Sequence, residues 1–161
     1  MAGRKNKKTP GIGEPPHIIA GLKALADSGA QYLIVGGVAS NLHGLVRATK
    51  DIDVLIPKDL ENTKKLLRGL ESLAWGLSRE IDAERVINKP FTIIGDQPRV
   101  DLLLRAGKLT FEAAIKNAQK RVVDGVRLAY VSLDDLILSK ATGRPRDDIE
   151  IQELKRLKKI K

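Results

Sequence analysis

The chain has 161 residues, enough for one compact domain with a sizeable core. Its formal net charge of +9 is carried wholly by Arg4, Lys5, Lys7 and Lys8 at one end and Lys155, Arg156, Lys158, Lys159 and Lys161 at the other, so a basic fold is excluded. The absence of cysteine excludes a disulfide framework, a thiolate zinc site and a cysteine nucleophile, and no apolar run approaches the about 18 residues of a membrane span.

Residues 1–14 read as a flexible basic arm, polar and without a periodic apolar face. The arm has no apolar h-region, so it is no secretory signal, and a cytoplasmic protein with no membrane contact is expected. Residues 15–161 read as a single domain. Pro15-Pro16 opens a helix whose apolar face is Ile18, Ile19, Leu22, Leu25 and Ala26, with Gly29 as its stop. Tyr32 to Val35 is a short buried strand ended by Gly36-Gly37, and a short helix follows over residues 38–46. A second strand covers residues 51–56. Residues 58–75 carry the clearest helical period, on Leu60, Leu67, Leu70 and Ala74.

Residues 91–94 and 99–104 predict a hairpin around Gly95-Asp96-Gln97-Pro98. Thr110 caps a helix to about residue 119. Residues 121–123 and 126–131 predict a second hairpin through Asp124-Gly125. Ser132 caps a helix to about residue 142, with Asp134 and Asp135 in its first turn. Gly143 breaks it, and a last helix starts near Pro145; residues 132–161 thus form a C-terminal helical part. Strands separated by helices early and hairpins late predict a mixed α/β (α+β) fold, a mixed sheet with helices packed against it.

Two aspartates open an otherwise apolar strand. Asp51 and Asp53 project from the same face, their Cα atoms roughly 7 Å apart. Such a pair either solvates a strand end or holds a divalent cation, and Mg²⁺ suits hard oxygen ligands. Upstream, Gly36-Gly37 between a buried strand and a helix lets a phosphate approach the backbone, and Ser40 offers a hydroxyl. Asp101 is one acid in an apolar strand, either a paired edge residue or the third carboxylate of a two-metal site. Only five aromatic residues are present and none are neighbours, which argues against a base-stacking nucleic-acid binder.

The stretch from Val35-Gly36-Gly37 through Arg47-Ala48-Thr49-Lys50-Asp51-Ile52-Asp53, with Asp101 following on a later strand, resembles the DNA polymerase beta-like nucleotidyltransferases. More narrowly, it resembles the small abortive-infection and toxin–antitoxin type. The resemblance implies the nucleotidyltransferase fold and transfer of an NMP group from an NTP to a hydroxyl of a protein, a tRNA or a small molecule. It implies Asp51, Asp53 and Asp101 as catalytic residues holding two Mg²⁺ (or Mn²⁺), with Gly36, Gly37, Ser40, Arg47, Lys140 and Arg144 around the nucleotide. Gly37 stands where many members of that group carry serine, so the expected hydroxyl contact is either lost or moved to Ser40. A partner subunit, a macromolecular acceptor or self-association is expected to supply the acceptor wall that so short a chain lacks. Two other readings keep the fold or the basic ends without the reaction: an inactive antitoxin-like scaffold, and a small nucleic-acid-binding module.

Overall fold

The computed structural model describes residues 13–95 and 97–160. Residues 1–12 of the basic arm, the turn residue Asp96 and Lys161 lie outside the described residues.

Helix α1 (Pro16–Asp27) begins at the proline pair and buries Ile18, Leu22 and Leu25. Strand β1 (Leu33–Val35) is wholly buried and runs directly into helix α2 (Gly36–Leu42). The expected turn at Gly36-Gly37 is therefore the first turn of α2 itself. Strand β2 (Asp51–Leu55) follows. Helix α3 (Leu60–Gly69) is capped by Asp59, whose side chain accepts from the Asn62 amide at 2.8 Å.

Helix α3 is shorter than its periodicity predicts. It stops at Gly69, and the buried Ser78 hydroxyl donates to the Leu67 carbonyl at 2.8 Å, satisfying an end the helix would otherwise leave open. A 3₁₀ segment (Ala74–Glu80) and helix α4 (Ala83–Val86) complete that stretch. Strands β3 (Phe91–Ile94) and β4 (Arg99–Leu103) form the first hairpin. A two-stranded ribbon, β5 (Arg105–Ala106) and β6 (Leu109–Thr110), then leads to helix α5 (Phe111–Ala114). Thr110 caps α5 as predicted, but the helix ends early in a 3₁₀ turn (Ile115–Asn117). The second hairpin is β7 (Gln119–Val123) and β8 (Val126–Tyr130). Helix α6 (Leu133–Ser139) is capped by Ser132, and helix α7 (Pro145–Ile160) closes the chain.

Six strands form one mixed sheet in the order β3-β4-β2-β1-β8-β7, as the α/β reading requires. Strand β2 lies inside, antiparallel to β1 and parallel to β4. Its alternation decides the layout. Ile52 and Val54 are fully buried on one face, where Gly21 of α1 packs so closely on Ile52 that an added Cβ would approach the Ile52 Cδ1 to 2.5 Å. Asp51 and Asp53 occupy the other face, and helices α6 and α7 stand over it.

Candidate active site

Parallel register sets Asp53 beside Asp101 and Asp51 beside Arg99, so three carboxylates separated by up to fifty positions share one face. One oxygen from each of Asp51, Asp53 and Asp101 lies within 4.8 Å of the others. Asp101 is 9 % exposed. Burial, then the nearby Asp101 and Asp51 charges, push the Asp53 carboxyl up to about 7, against the opposing pull of Lys140. Three hard oxygen donors that repel one another fit a Mg²⁺ or Mn²⁺ ion, whose charge removes that repulsion.

A residue that sequence reasoning overlooked stands at the same cluster. Arg99 forks onto Asp101, its Nε donating to Oδ1 at 2.9 Å and its terminal nitrogen to Oδ2 at 3.1 Å, and its Nε lies 3.9 Å from Asp51. The hydrogen bond to Asp101 and the surrounding negative charge raise the Arg99 guanidinium above its ordinary value. The signal was legible: Arg99 sits two residues before Asp101 on one strand, hence on one face.

Beside the aspartates opens a cleft of about 580 Å³. Gly36, Gly37, Arg47, Lys140 and Arg144, the residues expected around a nucleotide, line it, and so do Lys50 and Arg146. Gly36 has φ of +68°, and a Cβ there would collide with the Asp53 carboxylate; only glycine allows α2 to start so close to the acid. A Cβ at Gly37 would approach the Thr49 methyl to 2.6 Å.

Ser40 is a correction. It is fully buried, and its hydroxyl donates back to the Gly36 carbonyl at 3.3 Å, so it does not line the cleft. Four residues after Gly36, it points one helical turn back into α2 rather than towards the opening. His43 is also buried, its Nε2 2.8 Å from the Val131 carbonyl and its ring edge-on to Tyr130.

The cleft's cations are held by acids that the sequence did not single out. Glu150 of α7 pairs with both Arg47 (2.5 Å) and Lys140 (2.8 Å). Burial opposes ionisation of Glu150, but hydrogen bonds from Arg47 and Lys140 outweigh it and hold the carboxyl below its usual value. Asp147 accepts from Arg144 at 2.8 Å and from the Thr142 hydroxyl, and these bonds likewise outweigh burial and lower it. On the other side, Glu14 accepts from the Thr49 hydroxyl and the Asn41 amide. The Asn41 side chain in turn bonds the backbone of Arg47 twice, at 2.9 Å each. The segment 45–50 is thus fixed from below by α2 and from above by α7. No local pattern links Glu150 to Arg47, 103 positions away, which is why Glu150 was not found; Asp147, three residues after Arg144, did carry a local signal.

A mixed sheet with α2 springing directly from β1 carries the aspartate trio beside a cation-lined cleft, and the fold is of the nucleotidyltransferase type. The chain belongs to the family described as nucleotidyltransferases of unknown function (DUF6036), whose profile matches residues 17–161. Its structure is similar to a crystal structure from Thermotoga maritima provisionally assigned as a nucleotidyltransferase. The TM-score is 0.51 at 12 % identity, over 89 % of this chain and 87 % of that one, a likeness that shows the fold. No protein of curated function matches the sequence. Among the described residues, no helix is long and apolar enough to cross a membrane.

Proposed function

We propose that this chain is a divalent-cation-dependent nucleotidyltransferase of the DNA polymerase beta-like kind, moving an NMP group from an NTP to an acceptor hydroxyl. The observation that carries the reading is the convergence of Asp51, Asp53 and Asp101 within 4.8 Å beside a cleft lined by five Lys and Arg side chains. In the reaction the hydroxyl oxygen bonds the α-phosphorus, the α–β phosphoanhydride bond breaks, and pyrophosphate leaves with the electron pair. The acceptor's proton passes to a carboxylate of the trio. Mg²⁺ held by the three aspartates would supply charge neutralisation at the reacting phosphate.

The chain's own residues do the rest. Gly36 and Gly37 let the polyphosphate lie against the backbone. Arg47 and Lys140, already positioned by Glu150, face the charge that develops on the leaving group, and positioned cations in a recessed site stabilise it without rearranging. Arg144 and Arg146 border the opening.

The test is incubation with each α-labelled NTP, Mg²⁺ and either tRNA or protein acceptors, following label transfer and pyrophosphate together. Transfer that disappears in Asp51→Ala and Asp53→Ala supports the reading. Nucleotide binding with no transfer to any acceptor would instead identify an inactive, antitoxin-like scaffold. RNA binding indifferent to both substitutions would identify a binding module.

A further inference from the structure

The described residues that line the cleft come from α2, β2 and the segment before it, and the junction of α6 and α7, none from β3 or β4; Asp101, on β4, is instead held by Arg99 on the side of the sheet that ends in β3. Among the described residues no strand pairs with the outer edge of β3. The Leu104 amide donates to the Pro90 carbonyl at 3.0 Å, which makes Phe91 and Leu103 a non-hydrogen-bonded pair. Alternation then turns the backbone N–H and C=O of Phe91 and Ile93 outward, away from β4. Their side chains are 53 % and 44 % exposed, and they share the face of Asp101, which Ile93 opposes directly.

The two edges of the sheet differ. Strand β7 carries Lys120 and Arg121, charges that discourage another strand from pairing. Strand β3 reads Phe-Thr-Ile-Ile and carries no charge, proline or bulge. We propose that the outer edge of β3 docks an extended polypeptide, which adds a strand there and presents the acceptor hydroxyl to the Asp101 side of the trio.

The acceptor role rests on the nucleotidyl-transfer reading; the docking surface rests on the edge itself. A polypeptide is favoured over a nucleic acid because the edge offers alternating backbone donors and acceptors between apolar side chains, with one aromatic ring and no stacking partner. It is favoured over a second copy by size, because a stable dimer buries roughly 1,200–2,000 Å². A four-residue edge supplies a small part of that, while a substrate need only dock transiently. An added strand lies about 4.8 Å beyond β3, and its alternate side chains cross Ile93 towards Asp101. Transfer there forms the bond from acceptor oxygen to α-phosphorus and releases pyrophosphate, as above.

The test reads backbone amides by NMR hydrogen exchange, with a library of ten-residue peptides in which branched apolar residues alternate around a central Ser, Thr or Tyr. The protein is used both as wild type and as Asp51→Ala/Asp53→Ala. In the free monomer the Phe91 and Ile93 amides exchange fast and those of Thr92 and Ile94 slowly. Binding peptides should slow Phe91 and Ile93 at least tenfold in both proteins, and Ile93→Lys should abolish the effect with circular dichroism unchanged. Label transfer to bound peptides should fall at least tenfold in Ile93→Lys while nucleotide affinity is retained.

The docking proposal is overturned if no peptide slows these amides, if they are already slow in the free monomer, or if protection and mass rise together with protein concentration. A bound peptide that is never labelled, while tRNA is, overturns the acceptor role. Absence of transfer to every acceptor, with edge protection intact, strikes the nucleotidyl-transfer reading and leaves the dock standing.

Discussion

Asp53 and Arg99 describe the free site from opposite signs of charge. Burial and two neighbouring carboxylates raise the Asp53 carboxyl to about 7. A carboxyl raised in the fold contributes stability that is fully present below its unfolded value of 3.8 and lost as pH rises through about 7. In EDTA, Asp53→Asn should therefore melt higher than wild type above pH 7, by roughly 4 °C, and the gap should close towards pH 4. Saturating Mg²⁺ should reverse the order above pH 7, because only the aspartate holds the ion; thermal melts across pH with and without Mg²⁺ check both signs. Arg99 occupies both oxygens of Asp101 and so competes with any cation there. Arg99→Gln should tighten Mn²⁺ binding by about tenfold, equivalent to about 1.4 kcal/mol, measured by electron paramagnetic resonance titration. Unchanged affinity would mean the guanidinium yields at no cost.

At the scale of elements, the site depends on how α7 reaches back across the chain. Glu150 joins α7 to segment 45–50 through Arg47 and to the end of α6 through Lys140. Its carboxyl is held below the ordinary 4.5, so its contribution to stability is present above pH 4.5 and lost as pH falls below it. Glu150→Gln should lower the melting temperature at pH 7 by about 4–8 °C, the cost of removing the one charge that holds Arg47 and Lys140 together. The difference should vanish in acid, and Asp134→Asn, at an exposed ion pair with Lys158, should show almost none of it. Melting curves of the two variants at pH 7 and pH 3.5 decide this.

For the whole molecule, binding at the cleft should act as a brace, since its walls come from α2, β2, α6, α7 and the segment before β2. A non-hydrolysable NTP with Mg²⁺ at about a hundred times its dissociation constant should raise the melting temperature by roughly 5–10 °C. Asp51→Ala/Asp53→Ala should abolish the rise. Much of this architecture was readable in advance. Each β-hairpin, the caps at Thr110 and Ser132, and the shared face of Asp51 and Asp53 follow from periods and turn residues within a dozen positions, whereas Asp101 joined them only through the family resemblance. What escaped was contact between elements: the end of α3 is closed by Ser78, Arg47 and Lys140 are held by Glu150, and segment 45–50 by Glu14. Ser40 misled because a hydroxyl near a glycine pair says nothing about which side of a seven-residue helix it faces.

Position 37 and position 49 occupy one small volume between them, since the Thr49 methyl already fills the space that any Cβ at 37 would need. The two sites should drift together across relatives: a serine becomes admissible at 37 once 49 loses its methyl, and a bulkier neighbour at 49 locks in the glycine. The Gly-Gly spelling of this chain is thus the counterpart of its threonine, a choice of where to store one carbon atom.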